Sequence, residues 1–329
     1  MSGVHSLKNF LTDNWGRKIS YLRLSVTDRC NLRCKYCMPP QGVDLLPRSE
    51  ILTYGELEIL CKILIEHGIE KIRITGGEPL VRKGLCTLLK KLKGIGRLKE
   101  LCLTTNGVLL KEMVHELRSS GIDRINISLD SLDSRVYQSI TSYPYLHKVL
   151  EGISAALEEG LAPLKINVVV MRGTNHEEIA DFVEMARENP INVRFIEHMP
   201  FGTKDNALFY PAEEILRSIS RKYQIIPKIP SSPTAMDYHV EGFRGWVSII
   251  APISKPFCNY CNRLRITAKG ELRLCLLDPK VIDLKGPLRE GWSTQKLSKL
   301  IREAVAQKPE RHTIKNLGEH FYTMVHIGG

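Results

Sequence analysis

No uninterrupted apolar run in the 329-residue chain approaches the roughly 18 residues that span a bilayer, which excludes a helical membrane protein. Residues Met1 to Trp15 also lack the apolar core of a secretory signal, so the expectation is a cytoplasmic protein with no membrane partner. There is no solenoid repeat and no low-complexity segment, which sets stacked-repeat and disordered architectures aside. Acidic residues are outnumbered by Lys and Arg, 36 to 47. The resulting net charge of +11 would suit an anionic partner such as a nucleotide or nucleic acid. The basic residues are spread along the chain, however, so charge alone fits an ordinary solvated surface equally well. What remains is a globular composition, 43% apolar and 25% charged, with length for about two domains.

Against this plain background stand nine cysteines. Three of them occupy eight residues, Cys30-x3-Cys34-x2-Cys37, directly after the strand-like run Ile19 to Val26. An odd count at so tight a spacing is no disulfide pattern. A structural zinc site would need a fourth ligand close by, and none follows. Three thiolates can instead hold three irons of a [4Fe–4S] cubane and leave the fourth iron open. Reduced thiols or a zinc knuckle remain the alternative, because short motifs produce false positives. A second triad is Cys258-x2-Cys261-x13-Cys275. Here a Cys3His zinc site competes, with His239, His312, His320 or His326 as fourth ligand. Arg263 and Arg265 lie two apart between these cysteines and, on a strand, would share one face. Paired guanidiniums beside a metal site suit a polyphosphate. Cys61, Cys86 and Cys102 sit in apolar patterns and read as core residues.

From Ile19 to Ile196 strand-like runs near 19–27, 70–75, 99–105, 123–129, 164–171 and 192–197 alternate with periodic, helix-like segments. Thr53 to Glu56 has capping-box spacing before the apolar face Leu57, Leu60, Cys61, Leu64 and Ile65. Six strand–helix repeats predict parallel strands with helical crossovers, an α/β fold in an open or partly closed barrel. Chemistry in such folds gathers at the C-terminal strand ends. The first cysteine triad, Gly76-Gly77-Glu78-Pro79, Thr104-Thr105-Asn106-Gly107, Ser128-Leu129-Asp130 and Glu197-His198-Met199-Pro200 all fall there. Pro227, Pro230, Ser231, Ser232 and Pro233 read as a linker. The expected division is therefore a barrel core over 1–226 and a smaller C-terminal α+β domain over 227–329, with strands near 246–250, 264–267 and 271–276 and a helix over 294–306.

The two triads together make the chain resemble a known family along nearly its whole length. Cys30-x3-Cys34-x2-Cys37 with Tyr36, and Gly76-Gly77-Glu78-Pro79, are similar to motifs of the radical S-adenosylmethionine superfamily. Phe257-Cys258-Asn259-Tyr260-Cys261-Asn262-Arg263-Leu264-Arg265-Ile266-Thr267, Cys275 and the terminal Gly328-Gly329 narrow the resemblance to the GTP 3′,8-cyclase family of molybdenum cofactor biosynthesis. The resemblance implies a partial (βα)6 TIM-like barrel capped by the C-terminal domain, with two [4Fe–4S] clusters facing one cavity. By position it implies Cys30, Cys34 and Cys37 for the first cluster and Cys258, Cys261 and Cys275 for the second. Tyr36, Gly77, Ser128 and Met199 would contact S-adenosylmethionine. Arg23, Arg73, Thr104, Lys165, Arg263, Leu264 and Arg265 would bind GTP, and Gly328 and Gly329 would reach into the cavity. It also implies a homodimer, a reductant protein and a downstream cyclic pyranopterin monophosphate synthase. Two rivals stay open: a peptide-maturing radical enzyme with an auxiliary cluster, and a zinc-stabilised nucleic-acid-binding module.

Overall fold

The computed structural model describes residues 10–38, 42–199, 207–312 and 324–328. Six parallel strands form its centre: β1 (Tyr21–Ser25), β2 (Lys71–Thr75), β3 (Glu100–Thr105), β4 (Arg124–Ser128), β5 (Leu164–Val170) and β6 (Ile191–Glu197). Each lies beside its sequence neighbour, and helices make every crossover. This is the partial (βα)6 barrel. The first crossover helix, Tyr54–Glu66, starts at the expected capping box: Thr53 accepts from the Glu56 amide, and the Glu56 carboxylate accepts from the Thr53 amide. Such a cap is worth about 1 kcal/mol. Arg289, on the C-terminal helix Lys285–Arg289, donates to the same Glu56 carboxylate.

The C-terminal part joins the same sheet at both edges. Strands β7 (Ile225–Lys228), β8 (Met236–Val240) and β9 (Trp246–Ile250) form an antiparallel meander, with β9 parallel to β6. At the other edge β10 (Arg263–Ile266) runs parallel to β1, followed by β11 (Glu271–Arg273) and β12 (Ile282–Asp283). The linker expected at 227–233 is therefore corrected: Pro227 and Lys228 belong to an edge strand, and the segment is a hairpin. Proline is tolerated there because an edge strand has one side free of ladder bonds. The helix over Thr294–Ala306 is where the periodicity puts it.

The strands alternate with period two, and this alternation creates the site. In β1, β2 and β4 (YLRLS, KIRIT, RINIS) one face is apolar and the other polar. Leu22, Ile72, Ile125, Ile166, Val193, Val247 and Leu264 are at most 1% exposed and face the helices. Each such side chain contributes about 1.5–3 kcal/mol of burial. Cys61 and Cys86 are buried in the apolar core, as expected; Cys102 is buried too, but in register with Arg73 on the opposite, polar face. The other face carries Tyr21, Arg23, Arg73, Thr104, Asn126, Lys165, Asn167, Arg194, Arg263 and Arg265, so the concave side of this barrel is polar and strongly basic.

Candidate active site

The register sets neighbouring strands' cations side by side. Arg23 is flanked by Arg73 on β2 and Arg265 on β10, and one pleat away Tyr21 is flanked by Lys71 and Arg263. Lys165 aligns with Asn126 and Asn192, and Arg194 with Asn167. Arg73 donates to Tyr21 Oη at 2.7 Å, to the Leu103 carbonyl at 2.9 Å and to Thr104 Oγ1 at 3.5 Å. Arg263 donates to Thr234 Oγ1 at 2.6 Å and stacks on Tyr21 and Phe257. Leu264 is the exception among the expected GTP contacts. Its side chain is wholly buried in the core on the opposite face, so only its backbone is available to a ligand.

The electrostatics are those of a buried cation cluster with few carboxylates to balance it. Burial and neighbouring cations lower Arg23 and Arg194 to about 10 and Lys165 to about 8. Two charges about 4.8 Å apart at an effective dielectric of 20 repel by about 3 kcal/mol. Glu100 offsets only one end of the barrel, where it pairs with Lys71 at 2.6 Å and Arg124 at 2.8 Å. Among the described residues, Thr75 Oγ1, Asn126 Oδ1, Asn167 Oδ1, Arg194 Nε and Arg263 Nε are buried without a hydrogen-bond partner. Orphaned polar atoms on one concave face mark a ligand cavity. Sequence reading missed Arg194 and Tyr21, which the strand alternation would have found.

Cys30, Cys34 and Cys37 lie in the loop after β1, all reduced and half-buried. The loop is pinned from below: Arg33 N–H donates to the Thr141 carbonyl and Lys35 N–H to the Ile140 carbonyl, both at 3.0 Å. Gly76-Gly77 lies alongside it, with Gly77 N–H on Thr27 O at 2.7 Å and Glu78 N–H on Arg29 O at 2.8 Å. A Cβ on Gly77 would sit 2.4 Å from Arg29 O, so only glycine permits this approach. Burial pushes the Glu78 carboxyl up to about 7, and it accepts from Leu80 N, Thr105 Oγ1 and Asn106 N. Asn106 in turn donates to Asn31 Oδ1 and reaches Cys30 Sγ. Tyr36 donates to Asp130 at 2.6 Å, fixing the triad loop to the end of β4. Burial raises that carboxyl to about 6. Ser128 closes the same strand and registers with Asn167.

Burial raises the Cys30 thiol to about 11 and the Cys37 thiol to about 12, and it also raises Cys34. Such thiols are neutral until a metal displaces their protons. Among the described residues no three His, Cys, Asp or Glu side chains converge tightly enough to ligate one metal ion. A cubane takes each thiolate on a different iron and does not need that convergence. Three reduced cysteines on one supported loop thus fit a [4Fe–4S] group.

The second triad lines a cavity of about 80 Å³ together with Met199, Arg263, Arg265, Lys308 and His312. Met199 and the two arginines therefore tie this cavity to the barrel. Arg17 donates to the Cys258 carbonyl at 2.7 Å and Lys308 to the carbonyls of Arg263 and Leu274, which hold the loop in place. Burial opposes ionisation of Cys258, but His312 hydrogen-bonds it and brings its thiol below the ordinary range. His239 is exposed on β8, His326 meets the Asp44 carbonyl, and His320 lies outside the described residues. In the tail, Val325 N–H donates to Cys37, Val325 and Ile327 are buried, and Gly328 has φ +86°. A Cβ on Gly328 would stand 2.6 Å from Ser25 Cβ. Gly329 lies outside the described residues.

Comparison with known proteins meets this geometry at both triads. Residues 24–186 match the Radical SAM superfamily and residues 191–314 match Molybdenum Cofactor Synthesis C. The structure of Streptococcus suis SuiB bound to S-adenosylmethionine shares the fold, with a TM-score of 0.58 at 15% identity over 91% of this chain and 74% of that one. The barrel and its first triad thus define a radical S-adenosylmethionine enzyme. The GTP 3′,8-cyclase of Moorella thermoacetica is 45% identical over 97% of this chain and 100% of its own length. That of Geobacter sulfurreducens is 46% identical over 97% and 99%. The chain belongs to the GTP 3′,8-cyclase family.

Proposed function

We propose that the chain converts GTP to (8S)-3′,8-cyclo-7,8-dihydroguanosine 5′-triphosphate, the first step of molybdenum cofactor biosynthesis, with methionine and 5′-deoxyadenosine as co-products. The observation that carries the reading is the basic concave face of the barrel, where Arg23, Arg73, Lys165, Arg194, Arg263 and Arg265 share one side of adjacent strands. Burying a triphosphate of about four charges needs such cations, and cations so crowded need such an anion.

Cys30, Cys34 and Cys37 would hold a [4Fe–4S] cluster. With S-adenosylmethionine bound there, such a cluster would pass one electron from a reductant to the sulfonium and so supply methionine and a 5′-deoxyadenosyl radical. Loss of the ribose C3′ hydrogen to that radical would let C3′ bond guanine C8, and a further electron and proton would complete the 7,8-dihydro product. Tyr36, Gly77, Ser128 and Met199 would position S-adenosylmethionine. Gly77 can do so because it lies against the triad loop, and Tyr36 because Asp130 fixes its ring. Arg23, Arg73, Thr104, Lys165, Arg263 and Arg265, with the backbone of Leu264, would hold GTP. Cys258, Cys261 and Cys275 would hold a second [4Fe–4S] cluster at the guanine end. The chain's own contribution is registration of two substrates and exclusion of water and oxygen. Gly328 and Gly329 would help set that geometry. In this reading residues 1–226 form the barrel core and 227–329 the unit carrying the second cluster.

No helix among the described residues is long and apolar enough to cross a membrane. We place the enzyme in the cytoplasm as a homodimer, served by a reductant protein and followed by cyclic pyranopterin monophosphate synthase. Anaerobically prepared protein should be brown and carry about eight irons. With S-adenosylmethionine and a reductant it should form 5′-deoxyadenosine only when GTP is present. Colourless protein with stoichiometric zinc would rule the reading out in favour of a zinc-stabilised module.

A further inference from the structure

Tyr21 occupies an unusual place for a tyrosine. On the concave face of β1 its register partners are Lys71 and Arg263, and the next inward residue of its own strand is Arg23. Its hydroxyl accepts from Arg73 Nε at 2.7 Å and is also hydrogen-bonded to Arg23. The Arg263 guanidinium lies 5.4 Å and the Lys71 ammonium 5.3 Å from its ring centroid. Four cations from three strands therefore address one phenol. The titratable groups facing it are Arg23 on β1, Lys71 and Arg73 on β2, Cys102 on β3 and Arg263 on β10, with Arg265 on β10 and Arg194 on β6 beyond them. Glu100 is engaged on the far side by Lys71 and Arg124.

A hydrogen-bond acceptor placed among guanidiniums does what a phosphate oxygen would do there. We propose that Tyr21 is a positioning residue of the polyphosphate site, its hydroxyl holding Arg23 and Arg73 aimed into the cavity until a triphosphate replaces it as their acceptor. The inference rests on the reading of this cavity as the GTP site.

It has a consequence that ring packing alone would not produce. Burial by itself would raise the phenol, but Arg73, Arg23 and Arg263 together pull it down to about 7. At pH 8 the empty site then holds largely phenolate. An arriving triphosphate both withdraws the arginines and adds negative charge, so the phenolate takes a proton from solvent to become phenol. No covalent bond to substrate forms or breaks. Because the bound state carries more protons than the free state, GTP affinity falls as pH rises above about 7, by at most about tenfold per pH unit for one proton. Lys165, held at about 8, would also take up protons on binding. A phosphate whose last ionisation lies near 6 contributes none at pH 8.

The test is calorimetric titration of the anaerobic holoenzyme with GTP, without S-adenosylmethionine or reductant, at pH 8 in two buffers of different ionisation enthalpy. Wild type should take up at least roughly half a proton more than Tyr21→Phe, which keeps the ring contacts and loses the hydroxyl. Its affinity should also fall more steeply than the variant's between pH 7 and 9. Equal uptake by the two proteins would overturn the inference. Should Tyr21→Phe fail to fold, Lys165→Gln decides. Uptake at pH 8 persisting without that lysine supports Tyr21, and its disappearance overturns the proposal. Absence of any GTP binding by wild type would instead overturn the parent reading of the site, and this inference with it.

Discussion

Replacing Arg263 with alanine separates two effects of one buried guanidinium, its service to a ligand and its cost to the empty protein. Arg263 sits at the edge of β10 between the second cysteine triad and the barrel, with its Nε unpartnered among the described residues. A charge-assisted hydrogen bond is worth about 1.5–3 kcal/mol, so GTP should bind roughly 10- to 150-fold more weakly to Arg263→Ala. The empty protein should lose far less. The change removes one hydrogen bond to Thr234, whose hydroxyl keeps Ser232 as a partner, and two ring contacts worth about 0.5–1 kcal/mol each. Against this, it relieves repulsion with Arg23 and Arg265, whose guanidiniums it disfavours. Urea denaturation should then place the variant within about 1 kcal/mol of wild type. Anaerobic titration calorimetry with GTP supplies the other half of the comparison. Unchanged GTP affinity would remove Arg263 from the site. A loss of affinity matched by an equal loss of stability would mean that the arginine is structural.

The two triads should separate by mutation: Cys34→Ala should abolish S-adenosylmethionine cleavage, whereas Cys261→Ala should spare part of the 5′-deoxyadenosine and lose the cyclised product. Equal unfolding of both, seen by circular dichroism, would leave no division of labour between them. Deleting Gly328 and Gly329 should leave iron content and S-adenosylmethionine binding intact and sharply reduce cyclised product, since Gly328 packs against Ser25 at the cavity. Product formation at the full-length rate would show an idle chain end. Glu56→Gln should destabilise iron-free protein by about 0.5–1 kcal/mol at pH 7, chiefly through loss of the charge that Arg289 pairs with, since a glutamine oxygen still accepts from the Thr53 amide. The Arg289 bond outweighs burial and holds that carboxylate at about 2, below its ordinary value near 4.5. The stabilisation is therefore complete above about pH 4.5 and lost as pH falls toward 2. A difference between variant and wild type that is the same at pH 7 and pH 3 in urea titrations would contradict this.

Much of the barrel was legible because local signals agreed with one another. The capping box at Thr53 and Glu56, and apolar runs ending in polar loops, placed the helix and the six parallel strands within a few residues. The cysteine triads were legible from spacing alone, and the Arg263–Arg265 pair from the two-residue repeat of a strand. Arg194 and Tyr21 were not, since a single polar residue in an apolar run carries no local mark. What identifies them is that the same face is polar in every neighbouring strand, and that is a property of the sheet. The 227–233 segment misled because proline and serine report an interrupted ladder, which an edge hairpin and a linker share. Contacts such as Tyr36 to Asp130 or Val325 to Cys37 join residues distant in the chain and follow only from the tertiary fold.

Isotope transfer from the ribose distinguishes abstraction at C3′ from abstraction at any other carbon. Anaerobic protein is incubated with S-adenosylmethionine, a reductant and GTP deuterated at ribose C3′, and the 5′-deoxyadenosine formed is analysed by mass spectrometry. One deuterium should arrive in 5′-deoxyadenosine, and none should arrive from GTP labelled at any other ribose carbon. Transfer from another position, or 5′-deoxyadenosine that forms unlabelled beside a cyclised product, would contradict it.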